Sequence, residues 1–545
     1  MHFKIVDFFQ RESKADKTKI LFMAIVSGFA NSFLLAIINN ATEIVTATDL
    51  DFEARFLLIY ILLFILFLWT KKFALSQATL MTEEIIRRVR TRLVDKIRHS
   101  QLRVVETLEK AKIFNRLSQS ILQVSQSATT LINATQAGIV VITALLYIAW
   151  LSPLAFFMSL GFLGSGAVVY ILNYNQRVKK LEQARTKETQ FYAVLDNVLD
   201  GFKEIRINQK KSDAVFDNIN TIAKQTEQSR VSALLGFVSD YTTSQTAFYL
   251  LIGSIIFIVP QFETTQADMT VVKIVATLLF IMGPVELVVS AIPTIAIANV
   301  AINNLEELEQ ELHQARPTFP DKQDLALMQR FKQIQFSDVG FEYLDQQGDC
   351  SFSLDNINLH IRQGEILFIV GGNGSGKSTL LKLLTGLYQP SHGTLRIDDE
   401  IIDTETYPAY RELFSVIFND FHLFEKLYGS PDVSAREVKQ WIKEMGLQTK
   451  TAYQDKQFTH LDLSTGQRKR LAYITAMLED KDIYVFDEWA ADQDPQFRRR
   501  FYEELIEELC DAGKTVIVVT HDDKYFSAAD RVLYMHNGKI SALPK

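Results

Sequence analysis

Nine residues, Gly371 to Thr379, read Gly-Gly-Asn-Gly-Ser-Gly-Lys-Ser-Thr and have the types and spacing of a phosphate cradle. Gly371, Gly372, Gly374 and Gly376 let the backbone curl, so that N–H groups along Asn373 and Ser375 converge on phosphate oxygens. Lys377 is spaced to reach the β- and γ-phosphates, and the Ser378 hydroxyl, beside Thr379, can meet Mg²⁺. A second stretch, Ile483 to Glu488, ends four apolar residues with two carboxylates. Asp487 would hold Mg²⁺ through water. Glu488 would polarise an attacking water as a general base or orienting group. Together these residues spell binding and hydrolysis of a nucleoside triphosphate.

Such groups work only on a rigid frame. Ile366 to Val370, just before the glycines, reads as a buried parallel strand, and Leu380 to Leu384, just after them, as a helix whose positive end faces the anion. Ile483 to Phe486 reads as a second buried strand beside the first in a doubly wound sheet. This half is an α/β phosphate-loop domain.

The 545 residues exceed what one core supports. The overall 48 % apolar and 22 % charged content hides a split, because long apolar runs fill the first three hundred residues. Six segments emerge, near 20–39, 56–70, 131–151, 153–172, 244–260 and 271–299, most of them close to the ~20 residues that cross a ~30 Å hydrocarbon layer. The third and fourth are separated only by Ser152-Pro153 and form a tight hairpin. The long links near 76–130 and 173–243 are rich in Arg and Lys, whereas the short links near 40–55 and 261–270 carry Glu43, Asp49, Asp51, Glu53, Glu263 and Asp268. The positive-inside bias therefore puts both termini and both long links in the cytoplasm. Helical apolar spacing such as Ile86, Val89, Leu93, Ile97 continues the spans beyond the bilayer to short turns. Glu286 lies inside the sixth segment, where an ionisable group suggests a substrate cavity or a wet interface. Pro284 and Pro293 are expected to bend that helix.

The net charge of −7 leaves no basic stripe for nucleic acid. Cys350 and Cys510 are too few for a disulfide framework, and the polar start, Met1 to Lys19, is no signal peptide.

Leu463-Ser-Thr-Gly-Gln467, lying between the phosphate loop and the acidic strand end, resembles the signature of ABC ATPases. Over nearly its whole length the chain resembles an ABC exporter half-transporter. This implies an all-α six-helix transmembrane domain over 1–315, a linker at 316–324 and an α/β nucleotide-binding domain over 325–545. The resemblance assigns adenine stacking to Tyr343, the D-loop aspartate to Asp494 and the switch histidine at the γ-phosphate to His521. Ser464, Thr465, Gly466 and Gln467 would close on the nucleotide of a second copy, so it implies a homodimer with ATP and Mg²⁺ in two composite sites. Membrane lipid and a peptide or amphipathic small molecule are the remaining partners, and the location is the bacterial inner membrane, multi-pass.

Several positions depart from the family pattern. Thr465 replaces a glycine, Trp489 a proline, and Asn419 the glutamine that reaches Mg²⁺. The lid from Glu425 to Asp462 is expected to be short and helical. With Gly201 to Asn208 and Thr520 to Phe526, these departures resemble the cyclic-peptide exporters, a subgroup including transporters of siderophore peptides, lipopeptides and lasso-type microcins. With nineteen residues ahead of the first apolar segment, no leader-cleaving protease activity is expected. A lipid or glycolipid flippase, a drug pump, and a regulatory protein without turnover are the alternatives. The presence of Lys377, Ser378, Asp487, Glu488 and His521 argues against the last of these.

Overall fold

The computed structural model describes residues 4–12, 17–46, 54–108, 113–114, 116–262, 267–313, 331–344, 350–430 and 432–541. The linker expected at 316–324 lies outside the described residues, as do Asp49, Asp51, Glu53 and Glu263 of the short acidic links. The chain divides into two compact units, Met1–Arg98 with Val105–Gln314, and His99–Val104 with Ala315–Lys545.

In the first unit a short amphipathic helix, α1 (Lys4–Glu12), precedes α2 (Lys17–Thr46), α3 (Ala54–Arg98), α4 (Ile121–Leu151), α5 (Pro153–Asp200), α6 (Gln209–Phe262) and α7 (Ala267–His313). Among the described residues, six helices are long and apolar enough to cross a membrane. Leu58, Leu62, Ile65 and Trp69 recur at helical spacing on α3 and are all more than half exposed, a stripe that suits lipid and not water. Between helices the polar contacts are few and paired. Asn39 donates to Thr277 Oγ1 at 3.1 Å, and Gln136 to Ser27 Oγ at 2.9 Å. Such pairs hold spans together where apolar burial against lipid offers no net gain.

Helices α3, α5, α6 and α7 contain 45, 48, 54 and 47 residues, so each is roughly 70 Å or more in length and outruns the bilayer. The expected short turns are instead six-residue helices, Leu102–Thr107 and Phe202–Ile207. Helix α7 runs on past its apolar run through charged residues to His313, because helix formers follow that run without a break. The hairpin at Ser152-Pro153 forms as the spacing predicts: Ser152 N–H closes α4 on Ile148, while its Oγ accepts from Ala155 N–H and caps α5. Helix α1 is fastened through Glu12, whose carboxylate accepts from Arg92 at 2.8 and 3.0 Å.

In the second unit, β1 (Gln333–Leu344), β2 (Cys350–Arg362), β4 (His392–Ile397) and β5 (Glu400–Ile401) make an antiparallel sheet ordered β2-β1-β4-β5. The six-stranded sheet is ordered β12-β11-β3-β10-β9-β6. It comprises β3 (Ile366–Gly371), β6 (Phe414–Ile417), β9 (Ile483–Asp487), β10 (Thr515–Val519), β11 (Arg531–His536) and β12 (Lys539–Ser541). Its strands run parallel except for β12. Strands β3, β9 and β10 are buried throughout, as continuous apolar runs require of strands covered on both faces. With β10 between β3 and β9, the phosphate loop, His521 and the acidic pair all leave the sheet at the carboxyl ends of adjacent strands. The lid is not all helix. It holds one helix, Ala435–Glu444, and a two-stranded ribbon, Tyr453–Gln454 with Gln457–Phe458.

Candidate functional site

The phosphate loop turns from β3 into α8 (Lys377–Leu384), capped by Gly376. Gly376 has φ +104°, and a Cβ there would lie 2.6 Å from Leu354 Cδ2, so only glycine fits. Lys377 is buried, and its Nζ donates to the carbonyls of Gly371 at 3.0 Å and Gly372 at 3.1 Å. Burial holds this ammonium below the usual lysine range, against the pull of Glu488 and Asp487. Ser375 Oγ is buried without a partner, an unmet group that a phosphate oxygen would satisfy.

Around the loop lies a cavity of about 510 Å³, lined by Tyr343, Phe352, Asn373 to Thr379 and Glu488. Tyr343 stands edge-on to Phe341, with centroids 5.1 Å apart, and its hydroxyl donates to Tyr388 at 3.1 Å. These contacts set an aromatic ring at the wall of a cavity large enough for a nucleotide.

Asp487 ends β9, buried. Burial pushes its carboxyl up and Glu488 adds to this, while the Asn419 backbone N–H and Lys377 pull the other way. Glu488 follows in the left-handed region at φ +50°, a costly conformation for a side chain of this size. Its N–H donates to Val519 O at 3.0 Å, and its Oε1 lies 3.1 Å from His521 Nε2. The hydroxyl of Ser378, the amide of Asn419 and the carboxylate of Asp487 are hard oxygen donors of the kind Mg²⁺ takes. Among the described residues, no group of three or more His, Cys, Asp or Glu is placed to hold a metal ion.

Residues 464–467 are arranged for another task. Helix α10 (Thr465–Glu479) starts within the signature stretch. Ser464 is its N-cap, closing a capping box with Gln467. A Cβ on Gly466 would meet Asp492 O at 2.6 Å, so this glycine permits a close backbone approach. Ser464 and Thr465 are exposed, and none of residues 464–467 lines the cavity above. Asp494 caps the helix Pro495–Arg500 and accepts from Arg470 at 2.6 Å. It too is absent from that lining, as is Asn419.

A family profile described as ABC transporter matches residues 354–491. The ATP-binding protein SyrD of Pseudomonas syringae pv. syringae is 31 % identical, over 95 % of this chain and 93 % of that protein. The chain belongs to the ABC exporters, as a half-transporter. Its membrane domain is fused to an ABC ATPase, which makes it an ATP-hydrolysing, multi-pass membrane protein. The ATP-dependent lipid A-core flippase of Neisseria gonorrhoeae is 33 % identical over 41 % of this chain and 37 % of that protein. The fold is that of a bacterial Atm1-family ABC exporter solved with ATP bound, with a TM-score of 0.77 at 14 % identity over 96 % of this chain and 93 % of that one.

Within this half-transporter the structure adds two residues that motif reading passed over. Lys469 is 1 % exposed; its Nζ donates to Glu488 O at 2.7 Å and pairs with Asp492 at 2.6 Å. In return Trp489 Nε1–H donates to Lys469 O at 2.8 Å. The signature helix and the turn after the acidic strand are thus pinned by a reciprocal clamp. A sequence signal exists, since Lys469 falls in the stripe Ala472, Tyr473, Ala476 that is otherwise uncharged and buried. Glu286, in the membrane unit, accepts from Tyr241 Oη at 2.7 Å.

Proposed function

We propose that this half-transporter works as a homodimer in the bacterial inner membrane, exporting a peptide, cyclic or modified, by alternating access. One observation carries the dimer. The signature residues 464–467 are exposed or half-exposed and do not line the chain's own nucleotide cavity, so a second copy must supply them. Ser464 and Gly466 then donate to the γ-phosphate bound by the partner's phosphate loop. Tyr343 stacks on adenine, Lys377 and the loop N–H groups hold the phosphates, and Ser378, Asn419 and Asp487 hold Mg²⁺. The ion, when bound, neutralises phosphate charge. Glu488 polarises the attacking water, with His521 as its neighbour at the γ-phosphate. Hydrolysis releases the two ATPase domains, and the long helices carry that movement to the spans. Both termini lie in the cytoplasm.

A peptide cargo is favoured by the resemblance of Thr465, Trp489 and the segment 201–208 to the cyclic-peptide subgroup. In the membrane unit a cavity of about 620 Å³, lined by apolar and charged groups such as Phe114, Tyr192, Leu199, Glu182 and Glu307, suits an amphipathic cargo. Lipid flipping is the second reading, favoured by the flippase relative, although that match spans less than half of either chain. ATP hydrolysis in lipid nanodiscs tests both, with Glu488→Gln as control. Saturable stimulation by a cyclic peptide supports peptide export. Stimulation by lipid or hydrophobic cations alone supports flipping or drug efflux, and no hydrolysis at all overturns turnover.

A further inference from the structure

Glu286 lies midway along the apolar run 271–299 of α7, exposed, with Leu287 and Ser290 exposed beside it. A carboxylate against hydrocarbon is costly, so such a group faces water, a partner or cargo. Two side chains of α6 address it. Gln245 Nε2 donates to Tyr241 Oη at 2.9 Å, and Tyr241 Oη donates to Glu286 Oε1 at 2.7 Å. Donors in series strengthen one another and hold this carboxylate oriented as an acceptor. Among the described residues Glu286 has no ion-pair partner, and its Oε2 is left for another donor.

Beside the carboxylate lies a cavity of about 20 Å³, lined by Tyr241, Ser244, Gln245, Phe248, Glu286 and Val289 among others. That is room for one water-sized group. Val289, at the wall of this cavity, lies four residues before Pro293, so its carbonyl has no helical N–H partner there. The pocket therefore offers a carboxylate oxygen at a scale that suits –NH₃⁺ better than the bulkier trimethylammonium or guanidinium. We propose that Tyr241, Gln245 and Glu286 form a site for a primary ammonium group on the cargo. The inference rests on the export reading above and narrows its substrate to amine-bearing molecules. A peptide side-chain amine is the source argued here, and an aminated lipid head is the other source of the same chemistry.

The test separates binding from turnover. Full-length protein in phosphatidylcholine nanodiscs, without ATP, is titrated with a dye-labelled cyclic decapeptide carrying one ornithine, and with its N-acetylated and N-trimethylated forms. Anisotropy is expected to show the free amine bound about tenfold more tightly than either derivative. Glu286→Gln is expected to erase that preference and Tyr241→Phe to reduce it, while Glu286→Asp, which keeps the charge, retains part of it. Equal affinity for the three forms in the wild type, or an undiminished preference in Glu286→Gln, overturns the site. Preference for the amine without any stimulation of hydrolysis upholds the site and overturns export of this cargo. Stimulation that requires Glu286 and phosphatidylethanolamine, but no peptide, upholds the ammonium chemistry and overturns the peptide source.

Discussion

Glu488 and Glu286 are held in opposite ways. Glu488 follows β9, a strand buried throughout, and its backbone is fixed by Val519 on one side and Lys469 on the other. Glu286 is exposed on a 47-residue helix, and among the described residues its hydrogen-bond donor is the Tyr241 side chain of α6. The first arrangement fixes a reacting geometry to fractions of an ångström through main-chain contacts. The second leaves a charged acceptor adjustable, since rotamers and helix sliding can both move it. An ATPase needs the former. A cargo site that loads on one side of a membrane and empties on the other needs the latter.

The contrast can be broken by experiment, and the largest effect belongs at the rigid end. Glu488→Gln is expected to lower hydrolysis by about 10² to 10⁴-fold while ATP binding persists, measured by phosphate release and nucleotide binding. If binding fell with hydrolysis, Glu488 would be structural. Next comes Lys469→Met, which keeps the apolar stem but strips the Glu488 carbonyl and Asp492 of their buried donor. The expected loss is about tenfold in kcat with little change in KM, together with roughly 1–3 kcal/mol of stability. A fall in stability alone would reduce the clamp to a packing device. Trp489→Phe removes one hydrogen bond of the same clamp and keeps most of the ring volume, so about 1 kcal/mol of stability should go, read by chemical unfolding of the ATPase unit.

The smallest effect concerns α1. Burial works against the Glu12 carboxylate, but hydrogen bonds and charge from Arg92 and Arg11 hold it below the ordinary glutamate range. A depressed folded value means that stability is present above the unfolded pKa and drains away as pH falls through the folded one. Glu12→Gln should therefore cost about 1 kcal/mol near neutral pH, and the gap to wild type should close below about pH 4.3. A gap that stayed constant with pH would mean Glu12 acts by packing.

Legibility followed locality. The phosphate loop and acidic strand end could be read because each motif is a continuous stretch whose flanking pattern dictates its own strand and helix. The clamp could not be read from either motif alone, because Lys469 and Trp489 are twenty residues apart and meet only once α10 packs beside β9. The lid was misjudged for a related reason. Its two-residue strands carry too little pattern to announce themselves, and they exist by pairing with each other and with the backbone at Glu425 and Lys426. Tyr241 lies forty-five residues from Glu286, on a helix whose apolar spacing says nothing about which polar side chain faces which neighbour.

From composition and order alone came the two-part plan: six apolar segments, then strand, glycine loop, helix and carboxylates, because hydrophobic length and backbone conformation are local properties. Tertiary structure decided which signature groups stay exposed away from the nucleotide cavity, which lysine pins the turn after the acidic strand, and which carboxylate in the spans accepts from a tyrosine. Those depend on distances between residues far apart in the chain, and only packing sets such distances.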